Sequence, residues 1–148
     1  MNALKRYFPV AVRISLGAVF IYAAIPKLAD PVAFAGSVAN YQILPYFWNY
    51  LAAAMLPFLE LICGVLLVTG FRARTGALIV AAMNLAFIAA LISVIARGLD
   101  IDCGCFKQGG SKTSPWLALA RDLVFLAMTA VVLYFERERK DPGTGRLH

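Results

Sequence analysis

Charge is scarce in this chain and histidine almost absent. Only 15% of its 148 residues are charged, 61% are hydrophobic, and the mean hydropathy is +0.76. A soluble domain would carry nearer to about a quarter charged residues, so the apolar excess must be buried in lipid. The lone histidine, His148, is the last residue, which removes a Ser/His/Asp set and zinc-type ligand spacing from consideration. The sequence also lacks a phosphate-binding glycine loop, a recognisable haem or flavin motif, an internal repeat and a low-complexity tract. Hydrolase and nucleotide-enzyme readings therefore have nothing to stand on.

What the chain does contain is four apolar runs at residues 7–25, 50–71, 75–96 and 116–135. Each is long enough for a hydrocarbon core, which takes about 20 residues. A lone spanning segment must satisfy its own backbone hydrogen bonds as a helix. The expected fold is all-α: one membrane domain over residues 1–148, a four-helix bundle with outer loops at 26–49 and 97–115 and a charged, frayed tail at 136–148. Lys5 and Arg6 ahead of an apolar run resemble a signal peptide, but Arg13 inside the run and the missing small-residue cleavage site predict a retained first span.

The formal net charge of +6 is scattered over the helix ends, which disfavours nucleic acid and reports topology instead. One side would hold Lys5, Arg6, Arg72, Arg74, Arg137, Arg139, Lys140 and Arg146; the other, Lys27, Arg97, Lys107 and Lys112. Cationic loops stay inside, so both termini are expected in the cytoplasm and the 97–115 loop in the periplasm of a bacterial inner membrane. Asp30-Pro31 reads as a helix start, predicting a short helix along the outer membrane face that ends between Tyr41 and Pro45. Tyr46, Phe47, Trp48 and Tyr50 follow as an interfacial aromatic belt; the segment serves as an anchor or as a lid over the later loop. GFRARTG makes the second and third spans antiparallel neighbours, and Ser114-Pro115 starts the fourth.

Two of three cysteines, Cys103 and Cys105, sit one residue apart in DIDCGCFKQGG, residues 100–110. A disulfide wants α-carbons about 5.5 Å apart, whereas an extended i, i+2 pair lies near about 7 Å. Closing the bond needs a bend, which Gly104 permits best. Such a bond is strained, more easily reduced, and adds little stability because its loop is minimal. Asp100 and Asp102 disfavour a thiolate and Lys107 favours one; Phe106 would anchor the loop in the interface. Buried thiols, a structural link and a soft-metal thiolate pair remain open beside redox exchange, although no Met or His flanks the pair for metal binding. Cys63, roughly 20 Å below the outer surface at helical rise, reads as an inert buried thiol.

Arg13, Glu60, Arg121 and Asp122 lie within apolar runs, where ionisable groups face the bundle or serve a function. Helical rise puts Arg13, Glu60 and Asn84 at similar depths from the cytoplasmic end, predicting an Arg13–Glu60 pair with Asn84 nearby. Arg121 and Asp122 lie nearer the cysteine loop. They act either as polar clamps between helices or as the lining of a pocket for a quinone headgroup or a partner's thiol.

RISLGAVFIYAAIPK, PVAFAGSVANYQILP, LPFLELICGVLLVTG and above all DCGCF followed by Trp116, Arg121 and Asp122 resemble the MauE/DoxX group of small four-span membrane proteins, on the MauE side. That resemblance implies a four-helix bundle and a role in disulfide formation or maturation of an exported partner, alongside a thioredoxin-like or rhodanese-like protein. It links MauE to methylamine dehydrogenase maturation and DoxX relatives to thiosulfate–quinone oxidation. The first outer loop has no second cysteine pair, which favours a component working with a partner over an autonomous oxidase. The expected function is therefore a membrane thiol/disulfide redox component: Cys103 and Cys105 exchange bonds with a thioredoxin-like or client protein, and a membrane quinone is the candidate electron acceptor. Its rivals are a non-catalytic scaffold docking a sulfurtransferase or oxidoreductase, and a transporter of a small sulfur species or soft metal.

Overall fold

The computed structural model describes residues 2–99 and 114–140. Every apolar run has become a helix, and all four are long and apolar enough to cross a membrane. In chain order they are α1 (Asn2–Ala29), the short α2 (Pro31–Asn40), α3 (Tyr46–Thr69), α4 (Ala73–Ala96) and α5 (Pro115–Lys140). No strand occurs among the described residues. The protein is a multi-pass membrane protein with an all-helical fold.

Burial runs opposite to that of a soluble bundle. Lys27, Glu60, Asn84, Asp122 and Thr129 are buried, while Ile14, Phe58, Ile62, Leu78, Leu85 and Val124 point outward. In water such a surface would be an aggregation liability; in lipid it is the solvated face. The spanning helices form a ring in the order α1, α3, α4, α5, with α1 packed most extensively on α3 and α4 on α5. Leu16, Phe20, Cys63, Leu67, Ala77, Val80 and Val132 fill the middle of this ring.

Two glycines fix the register of α1 against α3. A Cβ on Gly17 would lie 2.7 Å from the Gly64 carbonyl oxygen, and one on Gly64 would lie 2.8 Å from that of Gly17. Backbones this close leave room for no other residue, the usual basis of tight helix packing in membranes.

The helices outrun the expected windows. α1 continues past Ile25 and through Pro26 to Ala29; a proline is tolerated within a membrane helix when neighbouring helices absorb the freed backbone groups. The break comes at Asp30, where the residue before a proline is disfavoured in helical geometry; there φ is −137° and ψ 80°. Asp30 then caps α2, its Oδ1 accepting from the Ala33 amide at 3.0 Å, as expected of Asp30-Pro31. α3 begins at Tyr46, so the aromatic belt belongs to its first turns. α5 runs to Lys140, so the expected frayed tail is helical through its first five residues, a stretch of good helix formers.

α2 packs on the N-terminal half of α3 through Phe34, Ala35 and Val38 against Ala53 and Leu56. At the other end of the bundle, Gly70 closes α3 with φ 78°. A Cβ there would also meet the Arg13 guanidinium at 2.9 Å, so backbone angle and space both call for glycine. Arg72, at φ 47°, then opens α4.

Candidate functional site

Each spanning helix contributes a polar side chain to one small chamber inside the ring. Lys27 comes from α1, Glu60 from α3, Asn84 from α4, and Arg121 with Asp122 from α5, walled by Phe20, Phe87 and Phe125. The chamber has a volume of about 40 Å³, room for a few water molecules and not for an organic ring.

The Lys27 ammonium donates to both carboxylate oxygens of Glu60, at 2.7 and 2.8 Å. It also lies 5.1 Å from the centroid of Phe34 on α2 and 5.9 Å from that of Phe87. The charge is therefore held by a carboxylate and two aromatic faces, an arrangement that strengthens away from water. On α5, Arg121 donates to Asp122 Oδ1 from Nε at 3.1 Å and from Nη2 at 2.9 Å, and its guanidinium carbon lies 5.9 Å from the Phe125 ring. Asn84 Nδ2 donates to the Asp122 backbone oxygen at 2.8 Å, tying α4 to α5. Buried charges this well paired reconcile ionisable groups with a membrane interior.

The expected Arg13–Glu60 pair is not what forms. Arg13 lies beside Gly70 and pairs across to α5, its Nη1 3.5 Å from Glu136 Oε1. With Gly17 opposite Gly64, Arg13 faces the C-terminal end of α3, about 15 Å along the helix from Glu60 at 1.5 Å per residue. Side chains on a helix also lean toward its N-terminus. On α1 that direction carries Arg13 away from Glu60 and Lys27 toward it. Equal depths measured from presumed helix ends missed both the register and the lean. Asn84 does share the chamber with Glu60, as expected.

Lys27 is the residue that sequence reasoning missed as part of the site. The apolar window ending at residue 25 places it in the first outer loop, whereas it is 2% exposed inside α1. The available signal was periodicity: Leu16, Phe20, Ala23 and Lys27 follow a spacing of four, three and four, so the buried stripe continues to the lysine. Phe34 and Phe87, which cover it, carry no comparable sequence signal.

Cys63 is a free thiol, wholly buried in the central cluster, consistent with the expected burial. Asp102, Cys103, Gly104, Cys105, Phe106 and Lys107 lie outside the described residues, as does His148. The segments flanking that loop are described. Leu99, beyond α4, packs with Tyr41, Leu91, Val94 and Ala118, joining α4, α5 and the α2–α3 linker in one cluster. Arg97 braces the same corner. Its Nη2 donates to the Tyr41 carbonyl and its Nη1 to that of Gln42 at 3.3 Å.

The family model described as "Methylamine utilisation protein MauE" matches residues 5–135. This chain belongs to the MauE family. The matched region takes in both the cysteine loop and every polar residue of the chamber. Among curated MauE relatives, the "Methylamine utilization protein MauE" of Paracoccus denitrificans is 37% identical over 123 residues, 82% of this chain and 66% of that protein. The protein of the same name from Methylophilus methylotrophus is 36% identical, covering 76% of this chain and 58% of its own length. That of Paracoccus versutus is 35% identical, covering 80% and 64% respectively. The chain thus spans less than two thirds of the length of these MauE proteins. No solved structure matches it.

Proposed function

We propose that this chain is a membrane thiol/disulfide component in which Cys103 and Cys105 exchange a bond with an exported thioredoxin-like or client protein. In this reading a thiolate of one cysteine attacks the partner's disulfide, or the partner's thiolate attacks the Cys103–Cys105 bond. A mixed disulfide forms and is resolved by the second cysteine of whichever protein attacked, which leaves that protein oxidised and the other as a dithiol. Gly104 allows the small ring to close, and strain keeps the bond exchangeable.

The observation that carries the reading is the anchoring of the segment that leads into the pair: Leu99 packs in the cluster where α4, α5 and the α2–α3 linker meet. Cys103 follows it in sequence by four peptide units, a chain length of at most about 14 Å. Burial of Lys27 in α1 also removes one cation from the outer side, leaving Arg97, Lys107 and Lys112 against eight on the other. That supports cytoplasmic termini and a periplasmic loop, where disulfides persist. The names of the curated relatives support placing the client in methylamine utilisation.

The chamber contributes structure to this reading: it locks the four helices in one arrangement beneath the loop. The test is a Cys103→Ser/Cys105→Ser double variant in the native host. It should insert normally in the membrane while the exported client accumulates free thiols, scored by alkylation mass shift. A client fully oxidised in that background would favour a scaffold.

A further inference from the structure

The polar chamber has hydrogen-bonding capacity that its own side chains do not use. Lys27, Glu60, Asn84 and Asp122 line it and are each at most 5% exposed. Polar atoms buried this deeply are expected to have partners, yet two acceptors here have none among the described residues. Asn84 donates through Nδ2 to the Asp122 backbone oxygen at 2.8 Å. A carbonyl can only accept, so this bond fixes which end of the amide is nitrogen and leaves Oδ1 without a donor. Asp122 takes both Arg121 bonds on Oδ1, which leaves its Oδ2 in the same position. Both open acceptors therefore belong to residues that wall one cavity of about 40 Å³.

We propose that the chamber is a binding site for a small cluster of water, which donates to Asn84 Oδ1 and Asp122 Oδ2 and links the Lys27–Glu60 pair to the Arg121–Asp122 pair. Three observations single out this occupant. Both open groups are acceptors, so the occupant must bring hydrogens, and an anion would be repelled. The two ion pairs balance in charge, so a metal ion or an ammonium would add a net charge to a membrane interior, where charge is costly. The volume leaves room for about two or three water molecules and excludes larger solutes. A neutral, hydrogen-bearing molecule of a single heavy atom satisfies all three conditions, and water is present at both faces of any membrane. Cavities that stay empty are apolar; Phe20, Phe87 and Phe125 wall this one, but its polar groups hold it open to water. The cluster joins α1, α3, α4 and α5 in one hydrogen-bonded network in place of two separate ion pairs. This site is independent of any exchange at Cys103 and Cys105.

The test is X-ray radiolytic footprinting of the full chain in phosphatidylcholine nanodiscs, equilibrated in water labelled with heavy oxygen and read by mass spectrometry. Radiolysis makes hydroxyl radical from water in place, so a ring remote from bulk solvent is oxidised when a bound water touches it. Phe87 and Phe125, which line the chamber, should gain heavy oxygen. Phe58, which faces outward from the middle of α3, is the control of equal ring chemistry and should stay near background. Ala23→Leu adds a larger apolar side chain to the chamber wall without removing a polar group, and should bring Phe87 and Phe125 down to the level of Phe58. Val19→Ile makes a smaller addition to the same wall and should lower their labelling if Ala23→Leu is too crowded to fold. Wild-type labelling of Phe87 and Phe125 no higher than that of Phe58 would show a dry chamber and overturn the site. Labelling undiminished in every wall variant that folds would place the reacting water elsewhere and overturn it equally.

Discussion

Lys27 of α1 reaches back along its own helix to place its ammonium within 2.8 Å of both carboxylate oxygens of Glu60 on α3. Both residues are almost wholly buried, so each is the other's main compensation for leaving water. Removing one partner strands a charge in a low-dielectric interior, at a typical cost of about 3–5 kcal/mol. Glu60→Ala and Lys27→Met should each lower stability strongly, and the double variant Lys27→Met/Glu60→Leu should lose less than either. A detergent melting series on the three variants reads the coupling directly; additive losses would show that the pair is not a unit.

Arg13 should couple to Glu136 and not to Glu60. Its contact is longer, at 3.5 Å, and both side chains are less buried than those of the Lys27–Glu60 pair, so its loss should cost less than the about 3–5 kcal/mol of a fully buried pair. In the same melting assay, Arg13→Ala combined with Glu60→Ala should be additive, while Arg13→Ala combined with Glu136→Ala should not be.

Gly64→Val should be damaging even though it adds only apolar atoms. The new Cβ would face the Gly17 carbonyl oxygen at 2.8 Å, and backbone cannot rotate away as a side chain can. Overpacking of this kind costs about 1–3 kcal/mol. Gly36→Ala is the control, because a Cβ there meets nothing within 4 Å; melting of Gly64→Val equal to that control would mean the helices are not in this register.

Orientation can be read from thiol reactivity. After reduction, Cys103 and Cys105 should react with a membrane-impermeant maleimide added to intact spheroplasts, and Cys63, buried in the ring, should stay protected. Labelling of the pair only after lysis would place the loop in the cytoplasm and overturn the periplasmic assignment.

The sequence carried the helices more clearly than their pairings. Apolar runs without alternatives in lipid announce spans, and Asp30-Pro31 and Ser114-Pro115 announce helix starts, because these are local choices of the backbone. Partners of buried charges are not local. They depended here on the Gly17–Gly64 contact, which sets how far α1 slides along α3, and on the lean of side chains toward the helix N-terminus. Lys27 looked like a loop cation because a proline precedes it, yet α1 accepts Pro26 and carries the lysine inside. The fold of the α2–α3 linker was equally hidden, because Arg97 holds it through the Tyr41 and Gln42 backbone carbonyls, which no side-chain pattern reveals.

The central claim is exchange at Cys103 and Cys105, and trapping tests it most directly. Cys103→Ser and Cys105→Ser should be expressed singly in the native host, and membranes quenched in acid and alkylated before non-reducing electrophoresis. One variant should accumulate a reductant-sensitive adduct with an exported protein identifiable by mass spectrometry. The other, lacking the cysteine that meets the partner, should show none. If neither variant yields an adduct and the double variant keeps the exported client fully oxidised, the pair does not exchange bonds.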